Sequence, residues 1–272
     1  MKRGELVSVD QTIEKAIELS RVNVVSGNES AAYGYYAGKR VFLRGIEPGS
    51  VPGRLPAVGI GNFVNTIAIV MLPQSNQELL DMIIQSYRVC EDKKVLLPAI
   101  IVRPWDMREE VLVPTKESID KFLPPVKSKL DKTVYGLEKN SENQLLEAKK
   151  QLEKTAETWY QKFHRSIRPV EADVEGSEYV FICSGRNAGT VSKVAKELRA
   201  QGEKVGTISV RIIRPWFGNE IKNLVKNAKT AVIDSFPSRI LHAELCIGSS
   251  YVSERISEQA VRDIFKQMKE AG

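Results

Sequence analysis

Between Glu178 and Asp234 the sequence alternates, at short intervals, between runs suited to a buried strand and runs suited to a helix. Glu178–Cys183 (EYVFIC) is aromatic and β-branched, and Thr190–Gln201 has helical spacing and stops at Gly202. Lys204–Ile213 is strand-like again, Asn219–Asn227 is helical, and Thr230–Asp234 is a third strand-like run. Strands separated by a helix do not meet through a hairpin. They pair in parallel, and the helices cover the sheet faces. The rhythm therefore predicts a doubly wound parallel α/β sheet over residues 174–272.

A second α/β unit precedes it. Thr66–Leu72 (TIAIVML) reads as a buried strand stopped by Pro73. Ser75 followed by Glu78 forms a capping box, and Leu79, Leu80, Ile83, Ile84 and Tyr87 continue a helical face to about Asp92. Val95–Val102 (VLLPAIIV) is a second buried strand, so strand, helix and strand make a βαβ unit. Upstream, residues 10–20 suit a short amphipathic helix, and Gly27–Gly61 is rich in glycine and proline with one short strand at Arg40–Leu43. Residues 113–131 are loop-like. Residues 142–163 place Leu145, Ala148, Leu152, Ala156, Trp159 and Phe163 on one stripe, which predicts a long helix. The expected division is a first domain at 1–125, a helical linker at 126–173 and the second domain at 174–272, in keeping with 272 residues at about 150 per domain.

Composition narrows the function classes. Hydrophobic residues make up 42% and charged residues 27%, which excludes disordered and fibrous chains. The net charge of +6 is interleaved with acids, and residues 127–168 alone hold ten basic against six acidic residues. No run of five or six like charges marks a nucleic-acid partner. Cys90, Cys183 and Cys246 are three in number and far apart without C-x-x-C, the pattern of a reduced, cytoplasmic protein. The opening MKRGELVSVD lacks the apolar core of a signal peptide, and no window holds the 18 or so apolar residues of a membrane span.

Motifs for chemistry are few. Ser184-Gly185-Arg186-Asn187-Ala188-Gly189-Thr190 follows a strand and opens a helix, so its N–H groups and the helix dipole suit an anion; Ser184, Gly185, Asn187 and Gly189 are the candidate cofactor-binding residues. The turn is not G-x-G-x-x-G, and no G-x-x-x-x-G-K-[ST] loop exists elsewhere, so its alternative use is as a plain connection. Only two histidines exist, His164 and His242, which argues against zinc, and no G-x-S-x-G elbow supports a hydrolase. Asp106, Glu109 and Glu110 beside Arg103 and Arg108 suit a surface ion-pair network better than acid–base work. Arg211–Phe217 (RIIRPWF) ends a strand with arginines and aromatics, a composition for packing or for a partner interface.

Several segments are similar to a known family. Residues 76–102, FLPP at 122–125, GEKVGTISVRIIRPW at 202–216 and TAVIDSF at 230–236 resemble the alpha subunit of 2-oxoacid:ferredoxin oxidoreductases, the pyruvate:ferredoxin oxidoreductase group, in order and spacing. Ser26–Gly38 resembles the family's opening G-N-E-A helix start, and Arg54-Leu55-Pro56 its R-L-P. The resemblance implies a pyrimidine-binding domain of the thiamine-diphosphate fold followed by a transketolase C-terminal-like domain. It also implies three elements that this chain lacks. Lys39–Arg44 leads straight into a Gly/Pro turn where the family has Y-P-I-T-P, and no glutamate lies between Glu47 and Glu78 to stand for that of E-S-E-H. Val64-Asn65-Thr66 stands in place of N-R-A and carries no arginine. The family's glutamate promotes the imino tautomer of the aminopyrimidine, so its loss removes a step of thiamine chemistry.

The resemblance thus implies a shortened first domain and two readings. One is an alpha-type subunit for oxidative decarboxylation of a 2-oxoacid to an acyl-CoA, inactive alone, with no catalytic or metal-binding residue assigned here. Beta-, gamma- and delta-type partners would then bring thiamine diphosphate, Mg²⁺ and the iron–sulfur clusters that pass electrons to ferredoxin. The other is a scaffold or regulatory paralogue that has lost thiamine diphosphate chemistry.

Overall fold

The second sheet shows why the alternating rhythm forms one layer between two helical layers. The structure, a computed structural model, describes residues 5–7, 15–16, 25–26, 42–44, 69–90, 92, 94–95, 97, 99–102, 109–123, 141–235, 239–253 and 255–271. The strands of this sheet are β7 (Val170–Asp173), β8 (Tyr179–Ser184), β9 (Val205–Val210), β11 (Lys229–Ser235) and β12 (Ser249–Ser253), in the spatial order β12-β11-β8-β9-β7. All neighbours are parallel except β7, which runs antiparallel along β9. β7 begins four residues ahead of the boundary expected at Val174.

Period-two alternation along β8 divides the core. Val180 and Ile182 face one layer with Ile221 of helix α5 (Gly218–Leu224) and Leu241 and Leu245 of α6 (Ile240–Leu245). Phe181 and Cys183 face the other, with Val191 and Val194 of α4 (Asn187–Ala200) and Val261 and Ile264 of α7 (Glu258–Glu270). Burial on both faces is what a strand without polar alternation requires.

The first sheet has the order β10-β4-β5-β3-β2, from β2 (Val25–Ser26), β3 (Phe42–Arg44), β4 (Ile69–Met71), β5 (Ala99–Val102) and β10 (Ile212–Arg214). β4 and β5 are parallel, as the βαβ reading requires, and the connecting helix α1 spans Asn76–Cys90. Half of its capping box forms: the Glu78 N–H donates to Ser75 Oγ at 3.1 Å, while Glu78 Oε2 accepts from the N–H of Gln74, one residue before the cap, at 2.9 Å. Polar groups on α1 also tie it to a neighbouring strand. Gln77 makes paired bonds to the Leu112 backbone on β6 (Val111–Val113), which itself pairs with β1 (Glu5–Val7).

Helix α3 (Ser141–Phe163) sets its predicted stripe against α1, with Leu145, Ala148, Leu152 and Trp159 in the first core. Trp159 meets Phe122 edge-on at 4.9 Å. Phe122 belongs to α2 (Lys116–Phe122), a helix inside the stretch expected to be loop; Thr115 caps it by accepting from the Ser118 N–H. The helix expected at 10–20 and the segments Gly27–Gly61 and Pro124–Pro125 lie outside the described residues for the most part.

One expectation is corrected. The run Lys204–Ile213 is two strands in two sheets, β9 in the second and β10 in the first, where Ile212 pairs antiparallel with Met71. The break is Arg211: its N–H donates to Pro169 O at 2.9 Å and its carbonyl accepts from Leu72 N–H at 2.7 Å. A single residue therefore turns the chain from one sheet to the other.

Candidate functional site

In the second sheet the chain leaves β8 for β9 on one side, while β11 lies on the other. The crevice beyond the carboxyl ends of β8 and β11 is the topological switch point, where open α/β sheets collect ligands. The turn Ser184–Gly189 lies there. Gly185 takes φ +56, the left-handed region that favours glycine, and its carbonyl accepts from the Ala188 N–H. Helix α4 then starts at Asn187 without a side-chain cap at Arg186 and without an acid in its first turn.

The four candidate residues divide in use. Asn187 is 1% exposed, and its amide is spent on structure: Nδ2 donates to Ser253 O at 2.9 Å and Oδ1 accepts from the Ile256 N–H at 3.0 Å. Ser184 is buried at the end of β8. Gly189 sits in the first helical turn with open space where a Cβ would be. Gly185 shapes the turn, so any anion held here would meet backbone rather than these side chains.

Across the crevice stands a residue that sequence reasoning passed over. Asp234, on β11, is buried; Oδ1 accepts from the Leu241 N–H at 2.8 Å and Oδ2 from the His242 N–H at 3.1 Å. Burial pushes its carboxyl up to about 6, against the pull of those two N–H groups and of the His242 and Arg239 charges. Asp234 thereby fastens the start of α6 to the end of β11. An acid closing a strand shortly before a helix was a usable signal, but its burial was not.

Other sequence candidates are dispersed. Glu109 and Glu110 are exposed, while Asp106, Arg103 and Arg108 lie outside the described residues. His242 Nε2 lies 3.3 Å from Gly248 O, and among the described residues no group of three or more His, Cys, Asp or Glu gathers to hold a metal. Cys90 is buried in the first core and Cys183 in the second, and Cys246 is exposed, so the thiols do not gather at one iron–sulfur site. Burial pushes the Cys183 thiol up to about 12. The segments matched to thiamine diphosphate elements, 39–41 and 45–68, lie outside the described residues, so no step is assigned to that cofactor.

A buried charge cluster links α1 to β7. Arg211 is 4% exposed; Nε and Nη2 donate to Glu78 Oε1 at 3.0 and 2.8 Å, Nη2 also to Gln74 Oε1 at 3.2 Å, and Nη1 pairs with Glu171 Oε2 at 2.9 Å. Burial alone would lower the guanidinium pKa, but the Glu78 and Glu171 carboxylates outweigh it and raise it. A second buried acid, Asp81, takes a two-pronged bond from Arg165 at 2.6 and 2.8 Å and one from Trp159 Nε1 at 3.3 Å; burial still raises its pKa.

The fold and this crevice define an α/β protein whose second sheet is doubly wound around a topological switch point. Residues 177–239, from β8 to the approach of α6, match the family described as pyruvate:ferredoxin oxidoreductase core domain II. The chain is 31% identical over 182 residues to pyruvate synthase subunit PorA of Methanothermobacter thermautotrophicus, covering 59% of this chain and 48% of that one. To the same subunit of Pyrococcus furiosus it is 29% identical over 177 residues, covering 57% and 45%. A solved 2-oxoglutarate:ferredoxin oxidoreductase from Magnetococcus marinus superimposes with a TM-score of 0.66 at 14% identity, covering 98% of this chain and 65% of that one, which is a likeness of fold. By these matches the chain is similar to the alpha subunits of 2-oxoacid:ferredoxin oxidoreductases over its second half and part of its first. It spans about half the length of the curated relatives it matches. Among the described residues no helix is long and apolar enough to cross a membrane.

Proposed function

We propose that the chain serves as an alpha-type subunit of a cytoplasmic 2-oxoacid:ferredoxin oxidoreductase, inactive alone. The observation that carries this reading is the match of residues 177–239 to core domain II on a fully formed doubly wound sheet. In this reading residues 1–125 and 174–272 are the two domains. Partner chains of beta, gamma and delta type complete the enzyme; they supply thiamine diphosphate, Mg²⁺ and the iron–sulfur clusters that reduce ferredoxin. The test is reconstitution: co-purification with a beta-type chain should yield 2-oxoacid-dependent ferredoxin reduction, and a stable complex without that activity would overturn it.

One sequence observation favours a second reading, a non-catalytic scaffold or regulatory paralogue. The Y-P-I-T-P, E-S-E-H and N-R-A elements are missing together. On this reading the isolated protein binds no thiamine diphosphate, and tight Mg²⁺-dependent binding by calorimetry would sink it. The turn Ser184–Gly189, which leads from β8 into the start of α4 at the switch point, is proposed to hold a phosphate-bearing ligand such as coenzyme A. Gly185→Val with unchanged affinity for coenzyme A would count against that use.

A further inference from the structure

At the end of the second sheet opposite Asp234, the starts of β11 and β12 and the ends of α5 and α7 enclose an open cavity of about 530 Å³. Its floor is apolar, made by Val225, Ala228, Ile247 and Met268. Its rim carries Lys222, Lys226 and Lys229, all exposed. Among the described residues no carboxylate lies within ion-pair distance of any of the three, and Lys229 instead stands over the Tyr179 ring at 5.7 Å. Elsewhere on this surface lysines do find acids, as Lys193 does with Glu258, Lys204 with Glu178 and Lys269 with Glu203.

The unpaired rim has a physical cost. Lys222 lies on α5, Lys226 just beyond its end and Lys229 at the start of β11, so three like charges repel one another at the same mouth. The dipole at the end of α5 favours Lys222, but it falls off within the last turn and does not reach the strand. An apolar floor and a basic rim form an open surface, whereas a small-molecule site encloses most of its ligand.

We propose that this cavity is a docking surface for an acidic segment of a partner protein that inserts an apolar side chain between the lysines. The partner's carboxylates would pair with Lys222, Lys226 and Lys229, and its apolar residue would cover Ile247 and Met268. The proposal stands on these residues and does not depend on the enzyme reading.

Fluorescence polarisation with the full chain tests it, using a fluorescein-labelled ten-residue peptide of alternating glutamate and leucine. Wild type should bind, and the variant Lys222→Gln/Lys226→Gln/Lys229→Gln should bind about tenfold more weakly, the sum of three modest exposed ion pairs. A control with the same charge change elsewhere, Lys94→Gln/Lys154→Gln/Lys196→Gln, should bind like wild type. Ile247→Asn should weaken binding while the far-UV circular dichroism stays unchanged. Equal weakening in both triple variants would reduce the effect to net charge and overturn the proposal. Equally tight binding of an all-glutamate peptide would overturn the apolar half. Displacement by pyrophosphate at constant ionic strength would assign the cavity to a small anion and overturn docking.

Discussion

Replacing Arg211 with alanine tests whether one buried guanidinium holds the two sheets together. The side chain is 4% exposed and joins Glu78 and Gln74, at the start of α1, to Glu171 on β7. Removing one partner of a buried ion pair costs about 3–5 kcal/mol, because the other charge stays behind without compensation. Here Glu171 is 44% exposed and can rehydrate, and Glu78 keeps the Gln74 N–H, which moves the expected loss to the lower end, about 3 kcal/mol. Arg211→Lys keeps the charge but cannot span three acceptors with one ammonium, so it should fall between wild type and alanine. Glu171→Gln, at an exposed site, should cost less than about 1 kcal/mol. Urea unfolding followed by circular dichroism gives the free energies, and amide exchange at Leu72, whose N–H bonds to Arg211 O, reports the junction locally. In Arg211→Ala, Leu72 should lose protection before β8 does. A loss below about 1 kcal/mol with Leu72 fully protected would refute the reasoning, since the junction would then be held by β10 pairing and apolar packing alone.

Three further outcomes can be checked. Because the Asp234 carboxyl is raised to about 6 from 3.8, folding favours its protonated form; the associated stability, about 3 kcal/mol, is complete below about pH 4 and lost as pH rises through 6. Asp234→Asn should remove that slope from a pH series of urea midpoints, and an identical slope in both proteins would contradict it. Alkylation of the native protein at pH 8, read by mass spectrometry, should modify exposed Cys246 and leave Cys183, at about 12, untouched until urea is added. Gly248→Ala should destabilise by more than about 1 kcal/mol, since φ is +67 and a Cβ would stand 2.2 Å from the Thr230 carbonyl oxygen; a midpoint matching wild type would show that the turn relaxes freely.

Local patterns carried much of the fold. The Ser75 cap of α1, the apolar stripe of α3 and the strand–helix rhythm from Glu178 to Asp234 are written in neighbouring residues and form, apart from the division of Lys204–Ile213 between two sheets. Thr115, which starts α2, was masked by the prolines around it. The candidate turn was legible as a connection between strand and helix. Its use of Asn187 was not, since that amide's partners, Ser253 and Ile256, lie more than sixty residues away. Asp234 was visible as a strand end and not as a buried acid, because burial depends on α6 folding over it.

The sequence by itself determined that this chain builds two parallel α/β units, since hydrophobic period and cap chemistry act over a few residues and need no distant partner. Only the tertiary structure decided how those units join. A run that reads as one strand from Lys204 to Ile213 carries no local mark of a break, and it divides at Arg211 because two acids brought from α1 and β7 make that residue worth burying.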